Sequence, residues 1–356
     1  MKIIKLIRKN FITLLFASFM LFLLIYSYDN LVAARNGLKL FANNVIPSLF
    51  PFFVAVELLS HTSIIYYLSR LFHKFMKPVF NVPDVAVFPL IMGAISGYPI
   101  GAKVVTNLYE KKLISKKDAE RVLAFTNNSG PLFILGTVGT AFFGNYKIGL
   151  ILLITHILAA LTTGIIFGKL YKNNTSNKHS FFSKRKNSIY DKSDNDFDYT
   201  KFAYLKNDIS FTELGTVLSD SVLSSIKSIL NVGGFVVLFS VIISILNKTE
   251  ILVNISSLIA NAFHINSNLV EAFITGIIEF TNGLSNISKV DSGNLSINVI
   301  LSAFILGFGG ISVTLQAVSI FSRAKLSGKY YILGKITQAF IASFYTFLAL
   351  NLFVTF

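Results

Sequence analysis

The chain has 356 residues, of which 53% are hydrophobic and 14% charged, with 35 phenylalanines, no cysteine and a formal net charge of +15. A soluble domain carries about 25% charged residues, so this composition, with a mean hydropathy of +0.65, describes an all-α polytopic membrane protein. Without cysteine, a disulfide framework and a thiolate metal site are both excluded.

Lys2, Lys5, Arg8 and Lys9 precede an almost uncharged run over 11–28, close to the ~20 residues that cross the hydrocarbon of a bilayer. A signal peptide has the same order of parts. Tyr26-Ser27-Tyr28-Asp29 lacks the small residues of a cleavage site, so the run reads as an uncleaved first helix, 1–28. An amphipathic stretch over 31–45 leads into an apolar span over 45–60, and a second amphipathic stretch, 214–230, leads into a span over 232–246. Further spans are expected over 146–170 and from 331 onward. The segments 85–108, 119–143, 269–287 and 295–321 are apolar but broken by Gly or Pro.

Charge sets the expected topology. If residues 1–10 are cytoplasmic, each span crosses once, and 85–108 and 269–287 are re-entrant hairpins, 25 of the 32 Lys and Arg fall on the cytoplasmic side. Arg35, Lys39, Lys147, Lys248 and Lys289 lie outside, and Lys103 and Lys335 lie within apolar segments. Full crossings in place of the hairpins would put the basic segments 70–77 and 111–121 on opposite faces. The basic balance thus follows a membrane face, and a nucleic-acid partner is not expected.

A hydrophilic stretch over 171–210, rich in Asn, Ser and Lys, divides the chain. It reads as a solvated cytoplasmic linker. On either side, in 29–170 and 211–356, the same parts recur: amphipathic stretch, span, polar segment, hairpin, broken span, closing span. The charge pattern has the first hairpin entering from the cytoplasm and the second from outside, so the expected architecture is two inverted-topology repeats, each with a re-entrant helical hairpin and a broken transmembrane helix. Such repeats characterise carriers, whose solute site lies where matched helices are interrupted, because unwound backbone in lipid is tolerated only where it is buried or lines a polar cavity.

The candidate residues sit at those interruptions. Ser96-Gly97-Tyr98-Pro99-Ile100-Gly101-Ala102-Lys103 forms the first hairpin tip. Its glycines allow close backbone approach, and freed N–H groups and the Lys103 cation suit an anion. A tight turn with Lys103 snorkelling to the basic face is the structural alternative. Asn127-Asn128-Ser129-Gly130-Pro131 supplies polar groups where a helix stops supplying its own, although helix-to-helix hydrogen bonding is a common use of membrane Asn and Ser. In the second hairpin, Glu279 is an isolated carboxylate in Glu279-Phe280-Thr281-Asn282-Gly283. It is a candidate for proton or ion coupling, or for a buried pair with Lys103 or Lys335, and Asn282 stands beside it. His156 could relay protons or simply pack. Gly309 and Gly310 break the second span and offer backbone groups. No catalytic residue, cofactor site or metal site emerges, since His-Glu-x-x-His, phosphate-loop and dinucleotide motifs are absent from the sequence.

These motifs, with Asn44-Val45-Ile46-Pro47-Ser48-Leu49-Phe50-Pro51-Phe52 and Gly276-Ile277-Ile278-Glu279-Phe280-Thr281-Asn282-Gly283, resemble the YlbJ-type sporulation integral membrane proteins over roughly residues 40–350. That resemblance implies a nucleoside-recognition or Gate domain, related to concentrative nucleoside carriers. It also implies a role in moving dipicolinate, a small aromatic dicarboxylate, out of the mother cell across the outer forespore membrane. The expected partners are therefore the bilayer, a small anionic solute and a coupling proton or cation, and a homo-oligomer is compatible with the sequence. The competing readings are a nucleoside carrier and a membrane scaffold that recruits sporulation partners through the linker. Deletion of 171–207 separates the last from a carrier: transport in reconstituted vesicles should survive the deletion, and a scaffold should lose its function.

Overall fold

The computed structural model describes residues 2–170 and 213–353, and the regular secondary structure of these is all helical. The hydrophilic linker expected over 171–210 lies outside the described residues. Among these residues, five helices are long and apolar enough to cross a bilayer: Ser27–Ser60, Tyr146–Leu170, Leu214–Lys248, Leu295–Phe321 and Lys329–Leu352. Large apolar side chains face outward along them, with Phe340 63% and Leu352 70% exposed. A soluble surface rarely presents such a continuous apolar face, whereas lipid requires it.

The first helix, α1 (Lys2–Ile25), ends where Tyr26 leaves helical geometry (φ −103°, ψ 38°). Its apolar part, Asn10–Ile25, is shorter than the run expected over 11–28. The next helix, α2, runs unbroken from Ser27 to Ser60. The amphipathic stretch and the span expected as separate parts are thus one 34-residue rod. A π turn over Phe41–Val45 keeps the backbone helical through Asn43 and Asn44. The turn lies just before Pro47, whose ring does not fit a regular preceding turn. The same merger occurs in α9 (Leu214–Lys248), 35 residues long. At 1.5 Å per residue each rod is about 50 Å long, well beyond the ~30 Å hydrocarbon core, so both tilt or project past it.

The two rods pack antiparallel. Asp29 pairs with Lys248 at 2.9 Å, Gly37 faces Val237 and Ser240, and Phe41 faces Gly233; numbers rise along one helix as they fall along the other. Between α2 and the first hairpin lies α3 (Ile64–Phe75). The hairpin itself is α4 (Val87–Ser96) and α5 (Ile100–Glu110). It is followed by α6 (Lys116–Thr126), whose start is capped by Ser115 accepting from the Asp118 N–H. After the unwound residues 127–130 come α7 (Phe133–Phe142), wound as a π-helix, and the long α8 (Tyr146–Leu170).

The second half repeats this order. After α9 come α10 (Ile251–Phe263) and a hairpin of α11 (Ser267–Ile278) and α12 (Phe280–Lys289). A broken helix, α13 (Leu295–Phe308) and α14 (Gly310–Phe321), and the long α15 (Lys329–Phe353) complete it. Gly164 and His156 of α8 meet Phe125 and Ser129, while Gly334 and Gln338 of α15 meet Ala124 and Asn128, so these closing helices are antiparallel as well. Thr155 and Thr346 join their hydroxyls at 2.9 Å.

The first hairpin and the broken helix interlock through glycine. A Cβ on Gly101 would overlap the carbonyl oxygen of Thr126, the last residue of α6. Gly101→Ala should therefore cost about 1–3 kcal/mol, read as a lower melting temperature of the purified protein. Gly234→Ala, where a Cβ meets nothing within 4 Å, should leave it unchanged or raise it slightly by helix propensity.

Candidate functional site

All four interruptions come together. At the first hairpin tip Gly97 has φ +83°, and a Cβ there would lie 2.8 Å from the Gly130 nitrogen, so only glycine lets the tip sit against the first broken helix. Tyr98, followed by a cis bond to Pro99, reaches across to the other half. Its hydroxyl donates to the Leu306 carbonyl at 2.9 Å, its ring lies edge-on to Phe280 with centroids 5.9 Å apart, and Gly309 makes room for it. Gly310 packs against the Gly276 carbonyl and the Phe280 nitrogen, so the second break rests on the second hairpin. Ser96, at the end of α4, is fully buried and its hydroxyl has no partner among the described residues.

The polar groups of the first break are largely consumed in tying α6 to α15. Asn127 accepts from the Ala102 N–H at 3.3 Å and donates to the Tyr331 hydroxyl at 3.0 Å. Its own carbonyl accepts from Lys335 Nζ at 2.9 Å. Asn128 donates to the Phe125 carbonyl at 2.9 Å and accepts from Gln338 at 2.8 Å. The Ser129 N–H donates to His156 Nε2 at 3.1 Å, which leaves the imidazole proton on Nδ1. His156 is thus an acceptor at the break through Nε2, while its Nδ1 is buried with no hydrogen-bond partner among the described residues. The helix-to-helix bonding foreseen as the alternative accounts for both asparagine side chains in this conformation.

At the second tip Glu279 is extended (φ −139°, ψ 113°) and caps α12, accepting from the Thr281 and Asn282 N–H groups. Asn282 holds the same carboxylate at 2.9 Å and donates to Ser240 of α9 at 3.0 Å. The carboxylate is fully buried and is stabilised by a helix N-terminus. The pairing of Glu279 with Lys103 or Lys335, left open from the sequence, is not what the fold makes. Lys103 instead binds Glu57 of α2 at 2.8 Å, Ser224 of α9 at 2.8 Å and Ser228 at 3.4 Å. Its side chain is 21% exposed, and it stands apart from the hairpin tip.

The tips and breaks enclose a cavity of about 20 Å³, lined by Tyr98, Ser129, Gly130, Thr281, Gln316 and several apolar side chains. This is about the space of one water molecule. At this size it has no room for an organic solute. Gln316 Oε1, on a side chain that lines the cavity, is buried without a hydrogen-bond partner among the described residues, and so is the Ser312 hydroxyl elsewhere on α14.

Sequence reasoning placed Lys335 in the last span and offered it to Glu279, but did not bring this helix, α15, to the first break. Lys335 and Gln338 are fully buried and bonded to each other at 2.8 Å, and both reach the first break. Two polar residues three apart in an otherwise apolar span are helix-face neighbours, and that spacing was the available signal. Gln316 and Thr281 carried no comparable mark.

The Lys103–Glu57 pair has a measurable signature. Lys103→Met or Glu57→Gln alone strands one partly buried charge, whereas the double variant removes both. In a thermal-stability double-mutant cycle the pair should show a favourable coupling of about 1–3 kcal/mol, between the exposed and buried limits.

Comparison with known proteins agrees with this architecture. Residues 42–167 match the Gate family, described as nucleoside recognition. "Sporulation integral membrane protein YlbJ" of Bacillus subtilis (strain 168) is 34% identical over 347 residues, covering 94% of this chain and 82% of that protein. No solved structure matches. The resemblance is to a transporter-like membrane family rather than to a catalytic fold. With that identity over nearly its whole length, the chain belongs to the YlbJ family of sporulation integral membrane proteins.

Proposed function

We propose that the protein is a secondary carrier for a small organic anion, working by alternating access between two inverted repeats, with dipicolinate leaving the mother cell during endospore formation as the solute. The observation that carries this reading is the meeting of two helical hairpins and two broken helices around one closed, partly polar cavity. A simple membrane anchor has no use for four buried interruptions, each of which needs its backbone groups satisfied internally. A carrier places its site at such a junction.

Three further observations support the details. Helices that hold equivalent places in the two halves, α2 with α9 and α8 with α15, run antiparallel, as inversion of one half requires. The Asp29–Lys248 pair joins two residues that the charge pattern assigns to the outer face, in keeping with a cytoplasmic N-terminus and with hairpins that return to their own side. The N-terminus of α14 has no side-chain cap and its first turns border the cavity through Val313 and Gln316. An uncapped helix start presents N–H groups and a partial positive charge, which favours an anion. The N-terminus of α12, by contrast, is already filled by Glu279. In this scheme Glu279 is the residue available to carry a coupling proton, because movement of the hairpin would part Asn282, which holds its carboxylate, from Ser240 of α9. The outer forespore membrane is the location the family implies.

A nucleoside carrier is the second reading, favoured by the description of the Gate family. Reconstitution of the purified protein in liposomes distinguishes the two. Labelled dipicolinate should be taken up in counterflow, and excess unlabelled dipicolinate, but not uridine, should compete. Competition by uridine alone would establish the nucleoside reading; absence of dipicolinate movement beside an active relative would remove the anion reading.

A further inference from the structure

Lys335 lies within α15, fully buried. Among the described residues, the carboxylates that pair with lysine are Glu57, Glu120 and Asp29, and they serve Lys103, Lys116 and Lys248. Lys335 Nζ is held by neutral groups: the Asn127 carbonyl at 2.9 Å, Gln338 Oε1 at 2.8 Å and the face of the Tyr98 ring, 4.9 Å from its centroid. These groups solvate an ammonium without neutralising it. A buried ammonium without a counter-charge costs several kcal/mol that an apolar residue would avoid, and this amine stands at the convergence of tip and break, where an incoming carboxylate would supply the missing charge.

Tyr98 stands between that cation and the cavity. It lines the cavity, covers Lys335 and is fastened to the opposite half by its hydrogen bond to the Leu306 carbonyl. The space its phenol fills is flat, bounded by Phe280 edge-on and by Gly309, where a Cβ would come within 3.2 Å of the ring. Separation of α13 from the first hairpin breaks the fastening and frees the ring to turn away.

We propose that Lys335 is the counter-charge for a carboxylate of the transported anion, and that Tyr98 is the shutter that hides it in the closed state. The slot that Tyr98 vacates suits a planar aromatic carboxylate. This inference rests on the anion-carrier reading and specifies its site. Lys103 is not the counter-charge here, because Glu57 already neutralises it.

Calorimetric titration of the full chain in lipid nanodiscs with dipicolinate tests it. Lys335→Gln should weaken binding by about 10- to 100-fold, the range for loss of a charged hydrogen bond, while Lys335→Arg should keep more of it than Lys335→Gln does. Pyridine-2,6-dicarboxamide, with the same ring and no charge, should bind the unaltered protein at least about 10-fold more weakly than the diacid. Equal binding of acid and amide, or a folded Lys335→Gln variant that binds as tightly as the unaltered chain, overturns the proposal and leaves the anion reading standing. If the unaltered chain binds no aromatic carboxylate, both fall. Should Lys335→Gln fail to fold, amine-reactive labelling read by mass spectrometry decides. Tyr98→Ala should speed modification of Lys335, and dipicolinate should slow it; labelling indifferent to both overturns the proposal.

Discussion

Residues 127–130 interrupt a helix deep inside an apolar protein, and the main-chain and amide groups they expose have no water to turn to. In a bilayer each such group left unsatisfied costs several kcal/mol. The structure answers with α15: Lys335 takes the Asn127 carbonyl, Tyr331 the Asn127 amide and Gln338 the Asn128 oxygen. Because α15 belongs to the second half and the break to the first, the halves are joined through this network. The first hairpin is then seated by contact of Gly93 and Gly101 with the Thr126 carbonyl, and Tyr98 is carried to its place over Lys335.

The two breaks are satisfied in different ways. The first is rich in side-chain bonds, whereas the second relies on two left-handed glycines, Gly309 (φ +83°) and Gly310 (φ +75°), fitted against Tyr98 and the second hairpin. The hairpin tips differ likewise. The first turns through Gly97 and Pro99; the second turns at Glu279, which caps the helix it begins. In the proposed carrier cycle, such asymmetry between the halves would let one set of contacts hold while the other yields. Charged side chains are also on different parts: buried Lys335 on a closing helix, buried Glu279 on a hairpin, and the partly exposed Lys103–Glu57 pair between the first hairpin and α2.

Membership of the YlbJ family fixes the broad class, an integral membrane protein of a transporter-like family. The cavity at the junction, about 20 Å³, holds a water and nothing larger. The long antiparallel rods α2 and α9 supply the scaffold against which hairpins and broken helices are placed.

The sequence by itself determined the membrane class, the positions of the hairpins and breaks, and the common order of parts in the two halves. Those features are local: apolar runs, glycines, prolines and charge counts each act within a few residues of where they stand. It marked Gly97, Tyr98, Gly130, Glu279 and Gly309 as neighbours of a site for the same reason, because a helix interruption is written into the residues that make it. It divided α2 and α9 at polar residues that a helix simply accommodates. Only the tertiary structure decided the partners. Lys103, adjacent to the tip in sequence, is drawn to Glu57 across α2, while Lys335, more than two hundred residues from Asn127, reaches the break. Which cation meets which oxygen depends on how helices distant in the chain are packed, and a buried charge goes to whatever polar group the packing brings within about 3 Å.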